Sequence, residues 1–352
     1  MYGVSSGTKI PAKGVDRMKK KSFCILLSTI VSCVVLCSQA RAQVGPTPPG
    51  QAARGYGSTQ KYICSTYERI VCGDYWNGTA VNVFIPAKLK HGSRAPVVLF
   101  LHGYLAVFPD LYLDAIKHMT NQGYIVVFPT YNLLNPFQLI ADTDQNVMLR
   151  RAIDNANRGL AIAGSRAELD NMIVFGHSLG GLFSVCWNGA GGPRVREVVS
   201  ANLATDSAQG LPDFIKPFIK IIPVDWRGYA AKVDIPVMIL TGNQDTISGV
   251  PQATDMYNAL TAAPSRVLYC LQGDDHGQPA LMADHNASMT WFIPCLGWIL
   301  NFAGGAPVLN AMDYRYCWAA MDAAMAGKAD LRFDMGAWSD GVRVKPVLQL
   351  AP

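Results

Sequence analysis

A serine stands between two glycines directly after an apolar run, in the stretch Gly176-His177-Ser178-Leu179-Gly180. Residues 172–175 before it are continuously apolar, and the residues from Leu179 onward are typical of a helix. Because glycine has no Cβ, the chain can turn sharply at these positions and leave the serine in a strained backbone conformation. The pattern predicts a strand–turn–helix unit that exposes the serine hydroxyl, or else an ordinary tight turn, and the rest of the chain has to distinguish the two.

Apolar runs and helical patterns alternate along the chain from Lys61 onward. The runs predict buried strands at 97–101, 124–128, 172–175, 195–199, 236–240 and 266–271. The patterns between them predict helices at 111–121, over 149–160, from 179 onward and at 252–260. Strands that are apolar on both faces and alternate with helices are typical of an α/β fold, with a mostly parallel sheet flanked by helices.

Four regions are predicted from composition. Residues 1–42 are read as a leader with a signal peptide, in which Met18-Lys19-Lys20-Lys21 is the start, 23–36 is the apolar core and Ala40-Arg41-Ala42 is the cleavage site. The apolar core is shorter than the roughly 20 residues of a membrane-spanning helix, which is the alternative interpretation, as is a lipoprotein acylated at Cys33. Residues 43–60 are predicted to be a flexible linker, 61–305 the α/β domain and 306–352 a C-terminal extension of unknown role.

The net charge of +5 comes from the leader. Residues 1–42 hold seven of the 30 basic residues and one of the 25 acidic ones, so the remainder carries 23 basic and 24 acidic residues. Because basic and acidic residues are nearly equal in number after the leader, the charge of the chain gives no reason to expect nucleic-acid binding.

Six cysteines follow the leader, and export to an oxidising compartment permits disulfides. The expected pairs are Cys64 with Cys72 and Cys295 with Cys317, whereas Cys186 is expected to be a buried thiol. None of the cysteines has the spacing of a zinc site, and no metal or cofactor is predicted.

A reactive serine needs a base and a carboxylate that orients it. Asp245 follows the predicted strand 236–240, and His276 follows the predicted strand 266–271. Both lie where parallel sheets place their functional residues, at the carboxyl ends of strands. The predicted catalytic residues are therefore Ser178, Asp245 and His276.

Other residues compete for the acid and base roles. Asp206 is the alternative acid, because it follows the predicted strand 195–199. His285 also follows the serine, but it stands in a helix-like stretch with no strand directly before it, and it is set aside on that ground. Residues 207–231 interrupt the alternation and are read as a long connection or a small cap.

A developing oxyanion needs preorganised donors. The strand 97–101 ends in His102-Gly103-Tyr104, and the backbone N–H groups of Tyr104 and Leu179 are the predicted donors. Leu179 opens the helix after the serine, where the backbone N–H groups have no partner within the helix.

These residues resemble the α/β-hydrolase superfamily. Phe100-Leu101-His102-Gly103-Tyr104, Gly176-His177-Ser178-Leu179-Gly180-Gly181, Asp245 and His276 carry the resemblance, which covers about half of the chain, from Val97 to His276. Within the superfamily the chain looks most like secreted dienelactone-hydrolase-like, cutinase and polyester-hydrolase-like esterases. The resemblance implies an enzyme that cleaves small or polymeric carboxylic esters without a cofactor.

Two other functions remain open at this point. An acyltransferase or perhydrolase would use the same three residues in a drier site, and a non-catalytic binding protein would use only the fold. The intact set Ser178, Asp245 and His276 argues against the binding protein. The mature protein is expected to be secreted or periplasmic, without a membrane-spanning segment.

Export yields the first testable prediction. N-terminal sequencing of the protein secreted by its native host should begin near Gln43, because small residues at 40 and 42 flank the proposed cleavage site. A start at residue 1, or a diacylated Cys33, would contradict it.

Overall fold

A computed structural model describes residues 45–135, 142–205, 220–291, 304–328 and 331–352. The described residues belong to one compact unit. The predicted leader, Asp206 and Cys295 lie outside them, as does much of the segment 207–231.

A nine-stranded sheet organises the molecule, in the spatial order β1-β2-β4-β3-β5-β6-β7-β8-β9. Neighbours from β4 through β3, β5, β6 and β7 to β8 pair in parallel, while β1–β2, β2–β4 and β8–β9 are antiparallel. The strands are β1 Tyr67–Cys72, β2 Val81–Pro86, β3 Ala95–Leu101, β4 Ile125–Pro129, β5 Ala167–His177, β6 Glu197–Ala201, β7 Val237–Gly242, β8 Arg266–Leu271 and β9 Leu348–Ala351. The predicted mostly parallel sheet is confirmed.

Helices cover both faces of the sheet. They are α1 Leu113–Asn121, α2 Gln145–Ala163, α3 Leu179–Cys186, α4 Trp226–Ala230, α5 Gly249–Ala259 and α6 Trp318–Met325, with a π-helical turn at Asp313–Cys317 directly before α6. Successive residues of β3 face opposite sides, so Val97 and Leu99 pack with α2 and α3, whereas Val98 and Phe100 pack with α1 and α6. The continuous apolar runs seen in the sequence are therefore buried on both faces.

The C-terminal extension contributes to both the sheet and the core. All eight residues of α6 are buried, and β9 pairs with the outer edge of β8. Asp322 of α6 is completely buried and pairs with His118 of α1, with 3.0 Å between Oδ1 and Nε2. Its other carboxylate oxygen accepts a 2.8 Å hydrogen bond from Gly57 N. Residues 306–352 thus help to hold the sheet together.

The prediction of a flexible linker at 43–60 is wrong over the part that the structure describes. Gly57 N is tied to α6, and Thr47 exchanges hydrogen bonds with Ser339. Pro46 O accepts a hydrogen bond from Gln278 N. The Gly- and Pro-rich composition therefore reflects a segment that lies extended against the rest of the fold, held by its backbone groups.

The predicted Cys64–Cys72 disulfide is not formed. Both cysteines are free, and Cys64 Sγ lies 3.3 Å from Thr120 O while Cys72 Sγ accepts a hydrogen bond from Arg158. Cys186 is a buried free thiol, as expected. Cys317 is also free, and its expected partner Cys295 lies outside the described residues.

Within the described segments, no helix has the length and apolar character needed to cross a bilayer.

A buried carboxyl in β6 gives the fold a measurable dependence on pH. Burial raises the pKa of Glu197 from 4.5 to about 7, although the neighbouring Arg196 lowers it in part. The folded state therefore holds a proton that the unfolded chain has already lost above pH 4.5. The contribution is fully present below pH 4.5 and is lost as the pH rises through 7.

Glu197→Gln should accordingly stabilise the protein at pH 8 much more than at pH 5, by at most about 3 kcal/mol in the difference between the two pH values. Urea unfolding of both proteins at each pH measures this difference. Glu68→Gln, at an exposed position of β1, is the control and should change the free energy of unfolding little. An equal effect of Glu197→Gln at both pH values would contradict the prediction.

Candidate active site

Ser178 occupies a strained turn between β5 and α3. Its backbone angles are φ 57° and ψ −119°, and it occupies the N-cap position of α3 without a capping hydrogen bond from its side chain. A Cβ on Gly176 would lie 2.0 Å from Gly180 O, and a Cβ on Gly180 would lie 2.4 Å from Leu101 O. Only glycine fits at either position, so the chain can turn tightly enough to present the serine. The strand–turn–helix prediction for this stretch is confirmed.

The side chains of Ser178, His285 and Asp245 form a continuous line. Ser178 Oγ is 2.9 Å from His285 Nε2, and His285 Nδ1 is 3.0 Å from Asp245 Oδ2 and 3.1 Å from Oδ1. A carboxylate only accepts hydrogen bonds, so His285 donates from Nδ1 and its Nε2 is left to accept the proton of the serine. This is the arrangement of a nucleophile, a base and an orienting acid.

The side chain of Asp245 is fully buried and is held as a carboxylate. Ser248 Oγ and Asn202 Nδ2 donate to its Oδ2 at 2.7 and 2.8 Å. The backbone N–H groups of Ile247 and Ser248 donate to its Oδ1. Burial by itself would raise the pKa of Asp245, but the hydrogen bonds and the charge of His285 outweigh burial and leave the pKa well below its usual range. Asp245, the acid predicted from the sequence, is thus the carboxylate that contacts the ring of His285.

The structure does not bring the predicted base, His276, to Ser178. Its Nε2 is 2.8 Å from Asp340 Oδ2, on the partly exposed surface, and its ring lies beside that of Trp338. His276 is kept away from Ser178 by a loop after β8. Asp274 and Leu281 close this loop by exchanging two backbone hydrogen bonds of 2.8 Å. His276 lies within this loop, and the chain approaches Ser178 only after Leu281, where the loop ends.

The return of the chain places His285. Gln244 N donates to Ala283 O, and the side chain of Gln244 accepts from Ala283 N, which fixes this segment beside the carboxyl end of β7. Two residues later His285 faces Asp245. The sequence carries one signal that favours His285 over His276. The turn-forming residues of the stretch 273–279 predict a loop that closes on itself rather than one that leads directly to the site.

The predicted oxyanion donors lie around Ser178. Leu179 is the first residue of α3 and directly follows Ser178. The turn formed by Gly103 and Tyr104 lies close to Ser178, since a Cβ on Gly103 would be 3.4 Å from Ser178 Cβ. Within the described part of the chain, neither the Leu179 nor the Tyr104 N–H donates to another protein group. Both N–H groups are thus available to an oxygen bound next to the serine.

Backbone strain is concentrated at this site. Among the described residues, the non-glycine residues with positive φ are Leu105, Ser178 and Asn202, at 62°, 57° and 48°. Leu105 follows the Tyr104 turn, and Asn202 donates to Asp245. Strain of this kind persists where the surrounding structure enforces it, which is common at functional sites.

No cofactor or metal is implied by the site chemistry. Among the described residues, no group of three or more His, Cys, Asp or Glu side chains is arranged to hold a metal ion.

Comparison with known families assigns the chain. A family model described as chlorophyllase matches residues 74–264, which is more than half of the 352 residues. The chain belongs to the chlorophyllase family. Its predicted membership of the α/β-hydrolase superfamily is thereby confirmed. The match contains Ser178 and Asp245 but ends before His285, so the position of His285 is known from the structure alone. No curated protein sequence matches the chain.

Solved structures with similar backbones include an acylaminoacyl peptidase from Pyrococcus horikoshii, at 14% identity and a TM-score of 0.43, over 60% of this chain. This chain spans only 37% of the length of that peptidase. Esterase B from Lactobacillus rhamnosis is 16% identical, with a TM-score of 0.46, over 73% of this chain and 84% of that one. A carboxyl esterase from the fungus Tuber melanosporum is 21% identical, with a TM-score of 0.43, over 59% and 79% of the two chains.

The geometry predicts which histidine activates Ser178. A fluorophosphonate probe should label the protein at Ser178, and Ser178→Ala should abolish the labelling. His285→Ala should slow it by at least about a thousandfold, because members of such a set act as a unit. His276→Ala is the matched control and should label at the normal rate. Slow labelling of the His276 variant with normal labelling of the His285 variant would contradict the structure.

Proposed function

We propose that this protein is a serine hydrolase that cleaves carboxylic esters through an acyl-enzyme. The observation that carries the proposal is the line from Ser178 Oγ through the His285 ring to the Asp245 carboxylate, with hydrogen bonds of 2.9 and 3.0 Å. Membership of the chlorophyllase family supports it.

In the first half of the reaction, Ser178 Oγ attacks the ester carbonyl carbon and His285 Nε2 takes its proton. The carbonyl oxygen becomes an oxyanion, which the N–H groups of Leu179 and Tyr104 stabilise. His285 then delivers the proton to the alcohol oxygen as the C–O bond breaks. The products of this half are the free alcohol and an ester of Ser178.

In the second half, water takes the place of the alcohol. His285 Nε2 removes a proton from the water, whose oxygen attacks the acyl carbon, and the proton returns to Ser178 Oγ as the acid leaves. Asp245 stays ionised throughout, because its pKa is held low, and it stabilises the imidazolium that forms in each half. The carboxylate also fixes the tautomer that leaves Nε2 free to accept a proton.

An apolar substrate fits the surroundings of the turn that carries Tyr104. Leu105, which follows it, is 37% exposed, and Phe108 is 45% exposed. Phe108 packs against Tyr75 at 5.1 Å between ring centroids, and the neighbouring Trp76 is 52% exposed. Exposed aromatic and aliphatic groups close to the turn that carries a proposed oxyanion donor favour an ester with an apolar acyl or alcohol part.

We further propose that the mature enzyme acts outside the cytoplasm. The basic start at Met18, the apolar stretch 23–36 and the small residues at 40 and 42 support export.

The substrate prediction is tested with p-nitrophenyl esters from C2 to C16, a matched anilide and chlorophyll, the last because of the family name. An open apolar surface stabilises a longer acyl chain by about 0.8 kcal/mol per methylene, or about fourfold in kcat/KM at most. We therefore expect a broad optimum over short and medium chains and little action on the anilide, whose leaving group is poorer. Ser178→Ala is the inactive control.

A sharp optimum at one chain length, or anilide cleavage equal to ester cleavage, would contradict this substrate class. Product analysis with water and an added alcohol in competition identifies the acceptor. Free acid as the main product supports a hydrolase, whereas a new ester as the main product would show an acyltransferase.

A further inference from the structure

We propose that His177 is a positioning residue that ties the loop carrying His285 to the turn carrying the Tyr104 N–H, through the hydroxyl of Tyr112. The inference rests on the proposed function, since it concerns how that site is held. His177 is the last residue of β5 and is 2% exposed. It is adjacent to Ser178 in the chain, but its side chain points to neither Ser178 Oγ nor Asp245 as a hydrogen-bond partner.

Two hydrogen bonds fix the His177 ring. Its Nε2 is 2.8 Å from His285 O, and its Nδ1 is 2.9 Å from the Tyr112 hydroxyl. The same hydroxyl oxygen accepts a 3.0 Å hydrogen bond from Gly103 N. A continuous chain of hydrogen bonds therefore runs from the turn beside Tyr104 to the backbone of the base.

The proton positions in this chain follow from the chemistry of its ends. A carbonyl only accepts, so His177 donates from Nε2, and its Nδ1 is the acceptor in the neutral ring. Tyr112 then donates its O–H to Nδ1 and accepts from Gly103 N–H. Each group in the chain has the partner that it requires, and no second arrangement of protons satisfies all of them.

The proton positions in this chain of hydrogen bonds do not change when His285 becomes positively charged. Burial and, to a smaller extent, the neighbouring positive charge of His285 lower the pKa of His177 to about 3. His177 thus stays neutral in every step of the proposed reaction and keeps its Nε2–H on the His285 carbonyl. The two histidine rings lie 5.2 Å apart between centroids, and neither replaces the other as the base.

The loop that carries His285 depends on such tethers. Residues 272–291 contain neither a helix nor a named strand, so no regular ladder of hydrogen bonds fixes the base. The backbone of His285 is held on one side by the hydrogen bond from its N–H to Gly304 O, at 3.0 Å, and on the other by His177. Loss of the His177 donor frees the carbonyl and lets the ring shift relative to Ser178.

Variants of His177 and Tyr112 test the two hydrogen bonds of the His177 ring separately. His177→Gln retains an amide donor for the His285 carbonyl, whereas His177→Asn retains an acceptor for Tyr112. His177→Phe removes both, and Tyr112→Phe, a conservative change that keeps the ring, removes the hydroxyl from the middle of the chain. The matched control is His118→Phe, because His118 is equally buried and also bridges two partners, but away from the site.

The first readout is turnover of p-nitrophenyl butyrate per active site, with the sites counted by fluorophosphonate incorporation, so that unfolded protein does not contribute. We expect kcat to fall about tenfold to hundredfold in His177→Phe, with KM within about twofold, because small displacements of a base reduce the rate by that order. His177→Gln should recover more of kcat than His177→Asn, and Tyr112→Phe should lower kcat. The control should lower the melting temperature and leave kcat per site unchanged.

The second readout does not require ester turnover. The His285 Nδ1–H proton on the Asp245 carboxylate should give a low-field proton NMR signal, assigned by its absence in His285→Ala. We expect that signal to broaden or disappear in His177→Phe and Tyr112→Phe and to remain in His118→Phe.

The two proposals fail in different ways. If the wild-type protein hydrolyses no ester, the proposed function fails, and the NMR signal still decides the role of His177. If His177→Phe and Tyr112→Phe keep both kcat per site and the low-field signal, His177 has only a structural role and the inference is overturned.

Discussion

The tight turn after β5 is the constraint on which the rest of the site depends. It places Ser178 in a backbone conformation that L-residues avoid, and it brings Gly176 and Gly180 so close to carbonyl oxygens that no side chain fits. The strands on either side, β3 and β6, are buried along their whole length and hold the turn in that conformation. Leu105 and Asn202, the other strained residues, follow those same two strands. The sheet thus holds three unfavourable conformations at one edge, around one hydroxyl group.

Features that depend on local sequence could be predicted well. The buried strands β3, β4, β7 and β8 are continuous apolar runs, and Ser178 and Asp245 follow their strands directly, so strand position fixes where their side chains lie. The edge strands β1 and β9 were missed because their residues are largely exposed and show no apolar run. Pairing with a neighbour, rather than their own composition, makes them strands.

Features that depend on distant contacts could not be predicted in the same way. His285 reaches Asp245 only because Asp274 and Leu281 pair across a loop and Ala283 is then held by Gln244, and neither contact leaves a periodic pattern in the sequence. The segment 45–60 has the composition of a linker, yet its described backbone groups bond to residues far away in the chain. Of the two histidines that follow Asp245, the one closer to a strand in the sequence, His276, is therefore not the one that reaches the serine.

The late position of β9 and α6 has a consequence for how the chain is made. As the polypeptide is synthesised, β8 emerges well before the residues that pair with its outer edge and before the helix that covers one face of the sheet. Until then, an open strand edge and a wide apolar face are in contact with water, which are the conditions under which nascent chains aggregate. The sheet edge and the apolar face are therefore complete only when the C-terminal residues are in place, so a chain that ends before them exposes surfaces that the full-length fold buries.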